Sequence, residues 1–192
     1  MIATLARLGR MVGFGILGGI VAGVLVGGVA NRLVMRLLAM VNSAKDGIVT
    51  ENGNVSGAIT AEGTFGLIVF GGGLGLFAGL IYVAVRPWLP GRPLLKGVVF
   101  GMGLLCLFGG VVFDPENVDF ALFGPRPLGV GLFTALFPLY GVVAAPLIER
   151  WDRYVPPVPP LIRPVTWLGY LGLGGLSAFG LFHTVRAINA IL

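Results

Sequence analysis

The sequence is poor in charged residues. Of its 192 residues, 13 are Lys or Arg and 8 are Asp or Glu, so that 11% are charged, against about 25% in a soluble domain. Hydrophobic residues make up 56% of the chain, and the mean hydropathy is +0.96. This composition excludes an ordinary soluble globule and a disordered chain, and it is typical of a polytopic membrane protein.

Cysteine and histidine are nearly absent. Cys106 is the only cysteine and His183 the only histidine, which excludes an intramolecular disulfide, a Cys-x-x-Cys metal pair and a bis-histidine site. Ser177 lies six residues before His183, a spacing that does not place the two on one helix face. Walker A and HExxH patterns are missing too. We therefore expect a non-catalytic protein without a metal or a cofactor.

Five apolar runs are each long enough to cross a bilayer, which requires about 20 residues. A helix is expected for each run, because hydrocarbon cannot hydrogen-bond open backbone groups and because none shows the alternation of a β-barrel strand. The predicted fold class is an all-α integral membrane protein, a single domain built as a bundle of five transmembrane helices. The predicted spans are residues 11–30, 64–85, 94–113, 128–148 and 165–185.

The first of these runs lies where a signal peptide would be, directly after Arg7 and Arg10. Between Met11 and Ala30 it is 20 residues long, whereas the apolar core of a signal peptide usually has about 7–15 residues. We therefore expect it to be retained as a membrane span.

Lys and Arg are unevenly distributed between the two sets of loops. Eight lie on the side of the N-terminus and five on the opposite side. Because cytoplasmic loops carry an excess of positive charge, a cytoplasmic N-terminus and an external C-terminus are predicted. Helical spans indicate a bacterial-type inner membrane, since outer-membrane proteins are barrels. The net charge of +5 is then attributed to residues flanking the spans rather than to nucleic-acid binding.

The longest stretch between spans separates the first two and has two parts. Residues 31–41 continue the first span with a helical period. Residues 47–60 contain Asn52-Gly53 between two β-rich runs, which is the strongest short signal for a hairpin. A small external β-hairpin between the first two transmembrane helices is predicted there.

Glycine is in large excess, with 33 residues against about 7% in an average protein. In the first two spans glycine recurs at every fourth position, which places it on one face of each helix and lets two backbones approach closely in lipid. The interpretation is close helix packing, most simply of span one on span two; association with another subunit is a compatible alternative. These helix-packing candidates are Gly15, Gly19, Gly23 and Gly27, with Gly71, Gly75 and Gly79.

Three arginines on the predicted external side are the best polar candidates. Arg32 and Arg36 lie one turn apart on one helix face, and Arg126 precedes span four and is a candidate to join them. One interpretation is that they reach to lipid headgroups and pair with nearby acids. The other is that they recognise an anionic headgroup or the acidic surface of a partner.

No Asp, Glu, Lys or Arg lies near the middle of any span, whereas ion-coupled transporters usually place ionisable groups there. The leading hypothesis is a non-catalytic accessory or scaffold subunit that packs through glycine-rich faces into a homo-oligomer or a larger membrane complex. Its expected partners are the bilayer and other membrane subunits or copies of itself. One alternative is a small transporter or channel with an unwound helix at Gly71–Gly73. A further alternative is a membrane protein that binds a cofactor or a lipid.

Overall fold

The computed structural model describes residues 2–41, 61–113, 125–153 and 163–192. These residues are almost entirely helical and include no strand. Five stretches of helix among them are long and apolar enough to cross a membrane, which confirms the predicted all-α, five-span fold class. The helices are α1 (Ile2–Gly23), α2 (Asn31–Val41), α3 (Ala61–Val85), α4 (Pro93–Val112), α5 (Arg126–Asp152) and α6 (Arg163–Ile191).

The predicted hairpin at residues 47–60 lies outside the described residues. The described segments on either side of it are helical, since α2 ends at Val41 and α3 begins at Ala61. The hairpin therefore stays a prediction without structural support.

The first span is longer than its apolar run. Helix α1, the π-helix Val24–Ala30 and α2 follow one another without a break, and the apolar stretch Leu5–Val41 has 37 residues. At 1.5 Å per residue this is about 55 Å, compared with a hydrocarbon core of about 30 Å. The helical period of residues 31–41 is realised as α2, which therefore extends beyond the hydrocarbon.

A π-helical irregularity lies in the first span, and none is found at Gly71–Gly73. Helix α3 is continuous through these three glycines, so the unwound segment considered from the sequence is not found there. The wide turns of the π-helix instead bring Gly28 against α3, where a Cβ on this glycine would lie 3.1 Å from the Ile68 Cα. A side chain at this position would have to displace α3 by a few tenths of an ångström.

Among the described residues, the larger buried cluster lies between α1, α3, α4 and α5, and α6 contributes to a smaller one through Ile191. Helix α1 packs on α3 and α5, and α4 packs on α5 and α6. Helix α6 is held mainly by α4, with a smaller contact to the 3-10 turn Arg86–Trp88 that follows α3. Helices α1, α3, α4 and α5 thus form the core of the bundle, and α6 lies at its edge.

Aromatic side chains fill the centre of this core. The ring of Tyr82 in α3 contacts that of Phe100 in α4 edge-on, with centroids 5.1 Å apart, and Phe100 lies 6.5 Å from the ring of Tyr140 in α5. All three are buried. The three rings therefore connect α3, α4 and α5 through side chains.

Candidate functional site

The contact of the first span with α3 is formed by glycine backbones. We call it the glycine seam. A Cβ added to Gly19 would lie 2.9 Å from the Gly79 Cα, and one added to Gly75 would lie 2.7 Å from the Gly23 Cα. Real Cβ atoms are essentially never that close to another heavy atom, so a side chain at Gly19 or at Gly75 separates the helices. The seam consists of Gly15, Gly19, Gly23, Gly27, Gly71, Gly75 and Gly79.

The seam brings glycine Cα atoms against carbonyl oxygens of the opposite helix. The Cβ position of Gly19 overlaps the Gly75 carbonyl oxygen, and that of Gly75 overlaps the Gly19 carbonyl oxygen. Such reciprocal approach is the geometry of weak Cα–H···O contacts between helices. In lipid, where water cannot drive helices together, packing of this kind is the main attraction between them.

A second glycine contact joins α4 to α5. A Cβ on Gly101 would lie 2.5 Å from the Pro138 Cα, and one on Gly141 would lie 2.9 Å from the Gly101 amide nitrogen. Gly97 lies in the same contact, and a Cβ added to it would lie 3.0 Å from the Val142 Cα. The core is therefore held by two helix pairs in backbone contact, α1 with α3 and α4 with α5.

A buried hydroxyl connects these two pairs. The Tyr140 hydroxyl of α5 donates a hydrogen bond of 2.9 Å to the carbonyl oxygen of Gly75. This oxygen lies in the glycine seam, where no side chain covers it. The bond satisfies the one polar atom of a side chain that is only 8% exposed, and it fixes α5 against α3.

A group of polar side chains closes the end of the bundle at which α1 begins. We call Tyr82, Arg86, Lys96, Glu149 and Asp152 the polar clamp. The Glu149 Oε1 atom of α5 accepts hydrogen bonds of 3.0 Å from the Tyr82 hydroxyl of α3 and from the Lys96 ammonium of α4. Next to it, the Arg86 guanidinium lies 2.6 Å from the Asp152 carboxylate.

The polar clamp is partly shielded from solvent. The Glu149 and Lys96 side chains are 22% and 21% exposed, and that of Arg86 is 11% exposed. Removing one partner of an ion pair in such a setting costs more than removing one partner of a surface pair, because it leaves a charge with few water contacts. The clamp joins α3, α4 and α5 at this end of the bundle, and it was not recognised as a unit in the sequence.

The three arginine candidates lie at the opposite end of the bundle. Arg32 is half-buried and Arg36 exposed on α2, and α2 contacts α5. Arg126, at the start of α5, donates through Nη1 to the Ile191 carbonyl oxygen at 3.2 Å. A cation at the C-terminal end of a helix is favourable because the helix dipole is negative there. The Arg126 guanidinium therefore holds the end of α6.

Helix α6 is attached to α4 near this same end. Thr184 is 2% exposed, and its hydroxyl lies 3.2 Å from the carbonyl oxygens of both Leu105 and Cys106. Next to it, a Cβ on Gly180 would overlap the Cys106 carbonyl oxygen. The attachment thus combines a backbone contact with a shared hydrogen bond, and Thr184 was missed as a candidate from the sequence.

A sequence signal for the polar clamp exists. Tyr82 and Arg86 are four residues apart, and Glu149 and Asp152 are three residues apart, spacings that place each pair on one helix face. Two polar pairs at helical spacing near the ends of apolar runs predict an inward-facing polar end.

Comparisons with protein-family models, with curated proteins and with solved structures found no match to this chain. Family membership therefore contributes nothing to the proposals below, which depend on the contacts of its own residues.

Proposed function

We propose that the chain is a non-catalytic integral membrane subunit that associates with another transmembrane helix through the outer face of α6. The observation that carries the proposal is the position of α6 at the edge of the bundle. Only 6% of its 18-residue apolar stretch is buried inside the chain. The seam glycines contact each other within the chain. Their faces are therefore not free for another subunit, and the association surface must lie elsewhere.

The face of α6 opposite α4 has the pattern of a helix-packing surface. Its residues follow each other at intervals of four, three, four and three, the spacing of the contact positions in a left-handed helix pair. Small residues stand in its middle, as at helix interfaces in lipid. We call this the outer seam. It consists of the exposed residues Leu171, Gly175, Ala178, Phe182 and Val185.

The outer seam has no partner among the described residues. A Cβ on Gly175 meets no atom within 4 Å, and Leu171 and Phe182 are 71% and 64% exposed. A side chain can therefore be added to Gly175 without disturbing the fold of the monomer. This sets the outer seam apart from the glycine seam, in which the same addition separates two helices of the chain.

The proposed orientation follows from charge. The end of the bundle with the polar clamp also holds Arg7, Arg10 and the exposed residues Arg92, Arg150 and Arg153. An excess of Lys and Arg favours the cytoplasmic side of a membrane. We place this end, with the N-terminus, in the cytoplasm and α2 outside, in a bacterial-type inner membrane.

Substitution of Gly175 tests the association. Extracted in a mild detergent, the native chain is expected to run as a species of at least twice its 20.0 kDa by light scattering corrected for detergent. Gly175→Phe should reduce this mass to that of one chain, because the ring prevents the close approach of a second helix. The helical content by circular dichroism should not change.

Gly172→Phe is the matched control, since Gly172 lies on the same exposed helix and its added Cβ also meets no atom within 4 Å. It should leave the associated mass unchanged. A native chain that is monomeric and purifies without other proteins would refute the proposal, as would equal loss of mass in both variants.

A further inference from the structure

An apolar groove of about 310 Å³ lies between α3, α4 and α6. It is distinct from the outer seam, because it is on the side of α6 that faces the bundle. The groove exists because α6 is held mainly by α4, which leaves an opening between α6 and the end of α3. Its walls include Ile81 and Val85 of α3, Val99 and Gly103 of α4, and Leu173 and Ser177 of α6.

The groove is open to its surroundings at membrane depth. Val99 and Leu107 in its α4 wall are 37% and 38% exposed, and both lie within a membrane-spanning helix. Acyl chains are the solvent at this depth. An opening with apolar walls there is filled by hydrocarbon rather than by water or by a polar ligand.

Aromatic residues mark one end of the groove as the membrane surface. Trp88 and Tyr170 both line it, and the Tyr170 ring stands edge-on to Trp167 at a centroid distance of 6.4 Å. Tryptophan and tyrosine concentrate at headgroup level. A Cβ on Gly169 would overlap the Trp88 indole nitrogen, so glycine at this position lets the indole close the gap between α3 and α6.

A positive charge lies beside this end. Arg92 follows the groove residue Pro90 by two positions. Its side chain is exposed, and it has no acidic partner among the described residues. The neighbouring cations Arg86 and Lys96 are instead bound to carboxylates of the polar clamp. Because Pro90 lines the groove and Arg92 lies two residues further along the chain, Arg92 is near this end and is available to an anionic headgroup.

We propose that the groove binds an acyl chain of an anionic glycerophospholipid whose phosphate contacts Arg92. The apolar walls receive the chain, the aromatic end sets the depth of the glycerol, and the arginine selects for a negative headgroup. The site does not depend on association through the outer seam, so a failure of one proposal would leave the other unaffected.

Tryptophan quenching tests the site. A variant that keeps Trp88 alone is obtained with Trp151→Phe and Trp167→Phe, and a reference that keeps the 68% exposed Trp167 with Trp88→Phe and Trp151→Phe. Both are reconstituted in phosphatidylcholine vesicles containing increasing fractions of dibrominated phosphatidylglycerol or dibrominated phosphatidylcholine. Trp88 should prefer the brominated phosphatidylglycerol by about fivefold, the scale of one arginine at an anionic surface. Trp167 should show no preference.

Two further variants separate the headgroup from the chain. Arg92→Gln should reduce the preference at Trp88 to about one, with quenching by both lipids retained. Gly103→Phe places a ring in the groove at a position whose added Cβ meets no atom within 4 Å, and it should protect Trp88 from both lipids. Gly131→Phe, at an equally unobstructed position on α5, should leave Trp88 accessible to both lipids.

Three results would overturn the proposal. The first is equal quenching of Trp88 by the two brominated lipids. The second is a preference that Arg92→Gln leaves unchanged. The third is protection of Trp88 from both lipids in the variant that keeps Trp88 alone, which would mean that another protein helix occupies the groove.

Discussion

Gly75→Ala is expected to lower the free energy of unfolding by about 2–3 kcal/mol, the scale of overpacking in a tight interior, whereas Gly73→Ala is expected not to lower it, because alanine favours a helix over glycine. The two glycines are two residues apart in α3. A Cβ on Gly75 would lie 2.7 Å from the Gly23 Cα, whereas one on Gly73 meets nothing within 4 Å. The Gly23 Cα is a backbone atom, and the position of the added Cβ is fixed by the backbone of α3, so neither atom can rotate away as the end of a long side chain can.

Unfolding by sodium dodecyl sulfate in mixed micelles, followed by circular dichroism, measures this difference. Gly19→Ala and Gly13→Ala repeat the comparison on α1, where the Gly19 Cβ position is obstructed and the Gly13 position is open. The double variant Gly19→Ala with Gly75→Ala should cost less than the sum of its single changes, because helices already separated by one methyl accommodate the next. Equal costs at Gly73 and Gly75 would show that the seam contributes nothing.

Glu149→Leu is expected to lower the free energy of unfolding by about 1–3 kcal/mol, below the 3–5 kcal/mol typical of a fully buried ion pair, because both partners are about one fifth exposed. The change leaves the Lys96 ammonium and the Tyr82 hydroxyl without their shared acceptor. Glu149→Gln keeps an acceptor oxygen for Tyr82 but loses the charge, so its cost should be intermediate.

A double-variant cycle separates the ion pair from a general effect of the substitution. Glu149→Leu combined with Lys96→Met should recover part of the loss, since the unpaired ammonium is then removed. Glu62→Gln is the matched control for Glu149→Gln, because Glu62 is exposed in the first turn of α3. Single costs that simply add in the double variant, or an equal cost at Glu62, would contradict a coupled clamp.

The sequence was informative where one helix determines its own properties. Apolar runs predicted five spans, because crossing hydrocarbon imposes both length and helicity. Four-residue spacing assigned Gly19 and Gly75 to the faces that lie in the seam. The helical period after residue 30 predicted α2. Each of these inferences depends only on residues that are close in the chain.

The remaining features depend on which helices are neighbours. Tyr82 and Glu149 are 67 residues apart, and the sequence around each of them does not indicate that α3 and α5 converge at one end of the bundle. The edge position of α6 and the groove beside it follow from the order of five helices, which the apolar pattern leaves open. The glycine spacing likewise did not decide between a contact within the chain and one between chains.

The central claim is that the glycine seam is a contact within one chain, and an engineered disulfide tests it most directly. A Cβ on Gly72 would lie 3.4 Å from the Val24 Cγ2, so cysteines at these two positions, in a Cys106→Ala background, are within the reach of a disulfide. Light and heavy isotope forms of the chain are dissociated together in sodium dodecyl sulfate, reconstituted in one bilayer and oxidised, and the joined peptides are weighed. The glycine seam predicts that each linked pair is isotopically pure, because both cysteines come from one chain. Linked peptides that combine light and heavy halves would contradict it.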